Sequence, residues 1–196
     1  MPRIDVTGIV LAGGQGSRMG GVDKGLQPFR GKPMVAHAVE RFAPQVDELL
    51  INANRNVEQY ARFGQRVISD EIAGFAGPLA GFERGLAHAS GALVATVPCD
   101  SPFLPADLVA RLRTALEADG ADLAVARTGD QAHPVFCLMR RGVHASLTAF
   151  LASGQRKIDR WYAALGVVEV PFDDEADAFL NINTREELAQ LEPRRE

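Results

Sequence analysis

The sequence predicts an α/β protein built on a mostly parallel sheet. Two observations carry this. Short apolar runs of strand length recur along the chain, and amphipathic segments of helix length separate them. The runs are residues 8–11, 49–51, 66–69, 93–97, 123–126, 135–138 and 167–170, and the intervening segments include 33–42, 78–89, 105–118 and 143–151.

The first run reads as a buried strand that breaks into Ala12, Gly13 and Gly14 and then QGSRMGG, with Lys24 just beyond. Glycines let a backbone approach a ligand closely. Arg18 and Lys24 set two cations beside a row of N–H groups, a combination that suits nucleotide phosphates. The second run ends in Asn52, Ala53, Asn54 and Arg55, the third in Asp70, and the fourth in PCDSP, residues 98–102. Pro105 fits the first position of the next helix, where its missing N–H costs little, and Leu108, Leu112 and Leu116 follow as an apolar stripe. The polar stretch 127–134 reads as a hairpin or crossover loop, and the acidic stretch 173–177 as solvated. Thr184 and Glu187 have capping-box spacing, so a last helix is expected to about Leu191, with a frayed tail over 192–196.

At 196 residues the chain suits one domain. A net charge of −4 argues against nucleic-acid binding through a basic face. The charge is uneven, however: between Val6 and Val39 stand Arg18, Lys24, Arg30 and Lys32 against Asp23 alone, a patch able to attract a small anion. Cys99 and Cys137 form no CxxC pair and read as reduced, structural thiols. There is no charged leader followed by an apolar core. No apolar run approaches the roughly 20 residues that span a bilayer, so no membrane partner and a cytoplasmic location are expected.

In an open parallel sheet, ligands bind outside the carboxyl ends of the strands. The glycine loop lacks the GK[ST] of a Walker motif. It also misses the dinucleotide fingerprint, because Met19 follows where a glycine is needed and Asn52 stands where an acid should close the second strand. Asp100, stiffened between Pro98 and Pro102, either holds Mg²⁺ against phosphate oxygens or caps a turn. Asp70 carries the same ambiguity, with a ribose or base contact as a further reading. Asn181 and Asn183 either shape a turn or offer amides to a polar ligand. His37, His88, His133 and His144 lack zinc-ligand spacing, no GxSxG elbow is present, and Trp161 and Tyr162 read as packing residues.

Taken together, LAGGQGSRMGGVDKG, the GKP of 31–33, NANR, VISD, GPLAG, PCDSPF and NINT resemble the molybdenum cofactor guanylyltransferases, within the larger group of sugar-nucleotide-type nucleotidyltransferases. The resemblance runs from Thr7 to Leu191. It implies a three-layer Rossmann-like fold in a single domain over 1–196, with a nucleotide half of about 1–100 and a pterin-substrate half of about 101–191. It places guanine and ribose against Leu11, Ala12, Gly13, Asn52 and Asp70. It gives Arg18 and Lys24 to the triphosphate, Mg²⁺ to Asp100, and the pterin substrate to Gly77, Asn181 and Asn183. Arg18, Lys24 and Asp100 are the implied catalytic set, and Lys24 and Asp100 count among the nucleotide-binding residues. Cytidylyltransferases acting on the same pterin tend to carry LAAG, so Gly13 favours guanine.

The implied reaction joins GMP from GTP to the terminal phosphate of molybdopterin, with or without molybdenum, and releases pyrophosphate. The nucleophile is already anionic, so no strong general base is required, and none stands out in the sequence. The implied partners are GTP, molybdopterin or Mo-molybdopterin, molybdenum-insertion proteins and molybdoenzyme chaperones. CMP transfer, sugar-phosphate activation, a silent GTP-binding module and a pterin carrier remain as other readings at this stage.

Overall fold

Strand β1 (Val6–Leu11), polar only at Thr7, lies inside a seven-stranded sheet. It pairs in parallel with β4 (Glu48–Asn52) on one side and β6 (Leu93–Pro98) on the other, and β4 pairs in parallel with β5 (Arg66–Ile68). Beyond β6 comes β8 (Gln131–Arg140), antiparallel to both β6 and β7 (Leu123–Thr128), and β9 (Val167–Pro171) closes the sheet in parallel with β7. Only β8 is reversed, so the carboxyl ends of the other six strands share one edge. A small hairpin, β2 (Pro28–Phe29) with β3 (Lys32–Pro33), stands apart. This computed structural model describes residues 5–12, 23–71, 77–182 and 187.

The helices are α1 (Met34–Phe42), α2 (Val57–Ala61), α3 (Pro78–His88), α4 (Leu108–Ala118), α5 (His144–Ala152) and α6 (Ile158–Tyr162). A strand sends alternate side chains to opposite faces. Val6 and Val10 of β1 therefore join a core with Val35, Phe42 and Leu112, while Ile9 joins a second core with Leu79, Phe82, Leu147 and Trp161. Helices α1 and α4 cover one face and α3, α5 and α6 the other, which gives the expected three layers. Strands buried on both faces read as near-continuous apolar runs, and that is why the sequence announced them.

One local boundary differs from the expectation, while the hairpin over 127–134 and the exposed acidic stretch 173–177 are found as expected. Helix α4 starts at Leu108 rather than at Pro105. Arg41 Nε donates to the Leu104 carbonyl (2.8 Å) and Gln45 Nε2 to the Pro105 carbonyl (2.9 Å), holding that segment outside the helix. The Gln45 amide oxygen then accepts the Val109 N–H at 3.0 Å, acting as a cap from 64 residues away.

The 127–134 stretch is a β7–β8 hairpin, with a register shift between Val125 and Ala126 that leaves Pro134, Val135 and Phe136 out of the ladder with β7. Proline has no N–H for a ladder and is confined to such irregularities. Tyr162 Oη donates to the Pro134 carbonyl and Thr96 Oγ1 to the Val135 carbonyl, each at 2.6 Å, so the bulge is held from both sides. In the acidic stretch, Asp173 Oδ1 accepts the Gly129 N–H at 2.6 Å and Asp174 pairs with Arg111 at 2.9 Å, tying it to the hairpin tip and to α4.

Cys99 and Cys137 are free and buried as expected, and burial pushes the Cys137 thiol up to about 11. Trp161 is fully buried, edge-on to Phe82. No helix among the described residues is long and apolar enough to cross a membrane. The expected last helix lies outside the described residues except at Glu187.

Candidate active site

The strand ends at the carboxyl edge are stitched together by main-chain bonds one step past the ladders. Ala12 N–H donates to the Asn52 carbonyl (2.8 Å), Cys99 N–H to the Leu11 carbonyl (3.0 Å), and Ala53 N–H to the Ile68 carbonyl (2.9 Å). Leu11, Ala12, Asn52, Asp70 and Asp100 are thereby gathered at one edge, with β1 between the Asn52 side and the Asp100 side.

On the Asn52 side, the Asn52 side chain is buried, and its Nδ2 donates to Asp70 Oδ1 at 2.8 Å. Asn54 Nδ2 donates to Asp70 Oδ2 at 2.6 Å, and the Asp70 N–H returns to Asn54 Oδ1 at 2.8 Å. Both carboxylate oxygens of Asp70 are thus engaged by neutral amides. That arrangement fixes the direction of the carboxylate. Helix α3 reaches this cluster through Gly81, where a Cβ would lie 2.6 Å from both Asn52 Oδ1 and Leu11 Cδ2. Gly81 was visible only as the last letter of GPLAG, because close approach of a helix leaves no mark of its own on a sequence. Gly77, the residue before α3, has φ 69°, a conformation that glycine adopts without strain.

On the Asp100 side, Lys24 opens a one-turn 3-10 helix (Lys24–Leu26), and its Nζ lies 3.5 Å from Asp100 Oδ2. The Asp100 side chain keeps 14% of its exposure. Burial pushes its carboxyl above the usual carboxylate range, and the Lys24 ammonium pulls in the opposite direction. Asp23 accepts from Tyr60 Oη and from Asn56 Nδ2 (2.9 Å). Gly25 lies so close to Tyr60 that a Cβ would stand 2.5 Å from Tyr60 Oη and 3.0 Å from Cys99 Sγ. The Tyr60 phenol is pushed far above its ordinary range, first by burial and then by Cys99, Asp23 and Asp100, so it stays a donor.

Asn181 joins this second cluster: it receives the Ser101 hydroxyl on its amide oxygen, and the Ile182 N–H donates to the Asp100 carbonyl at 3.0 Å. Ile182 is buried with Phe29 and Met34, and Phe103 packs against them, so the β2–β3 hairpin, the Asp100 loop and the 181–182 strap share one small core. Gly13, Arg18 and Asn183 lie outside the described residues. His133 is a feature that sequence reasoning left unassigned. It stacks on Phe179 at 4.6 Å, meets Thr128 Oγ1 through Nε2 at 2.7 Å, and has its pKa lowered by burial.

The donor set bears on the metal. Among the described residues no group of three or more His, Cys, Asp or Glu side chains converges to form a cage. Mg²⁺ does not need one, since it is held by one or two carboxylates with substrate phosphates and waters completing the octahedron. A desolvated carboxylate beside a phosphate-seeking ammonium fits that requirement.

The chain is a nucleotidyltransferase: the family model described as MobA-like NTP transferase domain matches residues 8–168. The molybdenum cofactor guanylyltransferase of Cupriavidus necator is 54% identical over 197 residues, covering 98% of each chain. That of Shewanella amazonensis is 52% identical over 189 residues, covering 96% of this chain and 95% of its own. Among solved structures, the molybdopterin-guanine dinucleotide biosynthesis protein A of Archaeoglobus fulgidus superposes with a TM-score of 0.79 at 26% identity, covering 94% of this chain and 95% of that one. The chain belongs to the molybdenum cofactor guanylyltransferase family.

Proposed function

We propose that this chain transfers GMP from GTP to the terminal phosphate of molybdopterin, with or without bound molybdenum, and releases pyrophosphate. The observation that carries the reading is the pairing of Lys24 with a desolvated Asp100 across β1 from the Asn52–Asp70 amide cluster. Guanine and ribose would lie against Leu11, Ala12, Gly13, Asn52 and Asp70, and the triphosphate would meet Arg18 and Lys24. The pterin would bind through Asn181, in the Asp100 cluster, and Gly77, which precedes α3 on the Asn52 side, together with Asn183. On this assignment residues up to about 100, Gly77 apart, serve the nucleotide and those from about 101 to 191 the pterin.

A terminal phosphate oxygen of the pterin, already anionic, forms the new bond to the α-phosphorus of GTP. The bond from that phosphorus to the α–β bridging oxygen breaks, and its electron pair leaves on pyrophosphate. Positioning and charge neutralisation then carry catalysis, as in phosphoryl transfer generally. The Lys24 ammonium offsets charge that grows on the leaving group. Asp100 would hold Mg²⁺, which when bound supplies Lewis-acid neutralisation of phosphate oxygens. Molybdenum-insertion proteins and molybdoenzyme chaperones are the expected neighbours, and the cytoplasm the expected location.

A pyrophosphate-release assay with GTP, Mg²⁺ and molybdopterin tests the reading, with CTP as control. Release with GTP that depends on both molybdopterin and Mg²⁺ supports it. Release with CTP alone converts the enzyme to a cytidylyltransferase, and GTP binding without any release leaves a silent module.

A further inference from the structure

The turn that carries Lys24 spans three residues and has little structure of its own to aim a side chain. What holds it comes from elsewhere. Gln27 Nε2 donates to the Asp23 carbonyl at 3.2 Å, and the Met34 N–H donates to the Gln27 carbonyl at 3.0 Å. From the other side comes Tyr60 of α2, fully buried and 37 residues away. Its hydroxyl donates to Asp23 Oδ1, and the same oxygen sits against the Gly25 Cα. Asn56, at φ 53° just before α2, holds the other Asp23 oxygen. One buried phenol therefore bonds the residue before Lys24 and packs closely against the residue after it.

This matters because Asp23 is a carboxylate adjacent in the chain to the Lys24 ammonium. Opposite unit charges at contact distance attract strongly in a partly desolvated site. A carboxylate at 23 that was free to turn would compete with Asp100 for that ammonium.

We infer that Tyr60 is a positioning residue for Lys24: by pinning Asp23 toward α2 and backing Gly25, its hydroxyl leaves the Lys24 ammonium directed at Asp100. The consequence for catalysis rests on the reading that Lys24 and Asp100 receive the triphosphate and its metal.

The test compares Tyr60→Phe, Tyr60→Phe with Asp23→Asn, and Lys24→Ala in the full chain, by kcat/KM for GTP in the pyrophosphate-release assay and by thermal melting. Tyr60→Phe keeps the ring and removes the donor, and kcat/KM is expected to fall about tenfold, the scale of one lost hydrogen bond to a charged group. Adding Asp23→Asn is expected to restore the rate to within about threefold of the original, because a neutral amide does not compete for the ammonium. A general packing defect would not be repaired by a second substitution that supplies no new donor.

Tyr60→Phe at wild-type rate, or a double variant no better than the single, overturns the inference while leaving the proposed function standing. Undiminished turnover in Lys24→Ala removes the proposed function and the inference together. If Tyr60→Phe does not fold, Asp23→Asn alone decides. Tyr60 can still donate to the new amide oxygen, so activity within about threefold supports the inference and any larger loss overturns it.

Discussion

Asp70 and Asp100 are the same residue type in the same place, each just past the end of a parallel strand at one edge of one sheet. Their surroundings differ. Both oxygens of Asp70 accept N–H groups from neutral amides, Asn52 and Asn54. Asp100 is largely desolvated, and the Lys24 ammonium stands 3.5 Å away. A carboxylate wrapped in amides is fixed in direction, which suits the recognition role proposed for Asp70, whereas one held in poor solvent beside a cation suits the metal role proposed for Asp100. Position on the fold makes both candidates, and environment separates their roles.

The comparison can be broken by substitution. Asp100→Ala should give the largest effect, a loss of roughly 10²–10³-fold or more in turnover, the scale of removing one major electrostatic group from an active site. The pyrophosphate-release assay measures it, and a near-normal rate would end the metal assignment. Asp70→Ala should act on affinity. It leaves the buried Asn52 Nδ2 only the Ile68 carbonyl, at 3.5 Å, costing about 1–3 kcal/mol. That cost should divide between a higher KM for GTP and a lower midpoint in urea, with kcat changed least. A kcat collapse equal to that of Asp100→Ala would erase the distinction between the two.

Gly81→Ala sharpens the comparison from the recognition side. The new methyl would meet Asn52 Oδ1 and Leu11 Cδ2 at 2.6 Å. Overpacking costs about 1–3 kcal/mol, partly offset by roughly 1 kcal/mol of helix propensity. GTP affinity should fall while any Mg²⁺ dependence stays, as read by titration calorimetry at several Mg²⁺ concentrations.

The smallest effect concerns His133. Burial lowers its pKa in the folded state, so the unfolded chain takes up its proton first as the solution is acidified. The associated stability is complete above about pH 6.5 and is lost as pH falls from there through the folded value. His133→Gln should flatten that part of the acid dependence of the urea midpoint, and an unchanged slope would show that other groups carry it.

Much of the architecture was legible because parallel strands buried on both faces must be apolar throughout, so 8–11, 49–51 and 93–97 stand out in the sequence. Lys24 and Asp100 were legible for another reason: a lysine after a glycine loop and an aspartate between two prolines are chemically unusual settings. What stayed hidden depends on partners far apart in sequence. The start of α4 is capped by Gln45, 64 residues before Val109, and the Asp23 carboxylate beside Lys24 is held by Tyr60. The bulge at 134–136 is held by the Thr96 and Tyr162 hydroxyls, on β6 and α6, which no local pattern encodes.

Calorimetric titration of GTP into Asp100→Asn and Asp70→Asn across a range of Mg²⁺ concentrations addresses the division of labour directly. Affinity in Asp100→Asn should no longer respond to Mg²⁺, whereas Asp70→Asn should bind more weakly at every concentration yet keep the full response. Equal Mg²⁺ responses in the two variants, or a response lost only in Asp70→Asn, would contradict the account.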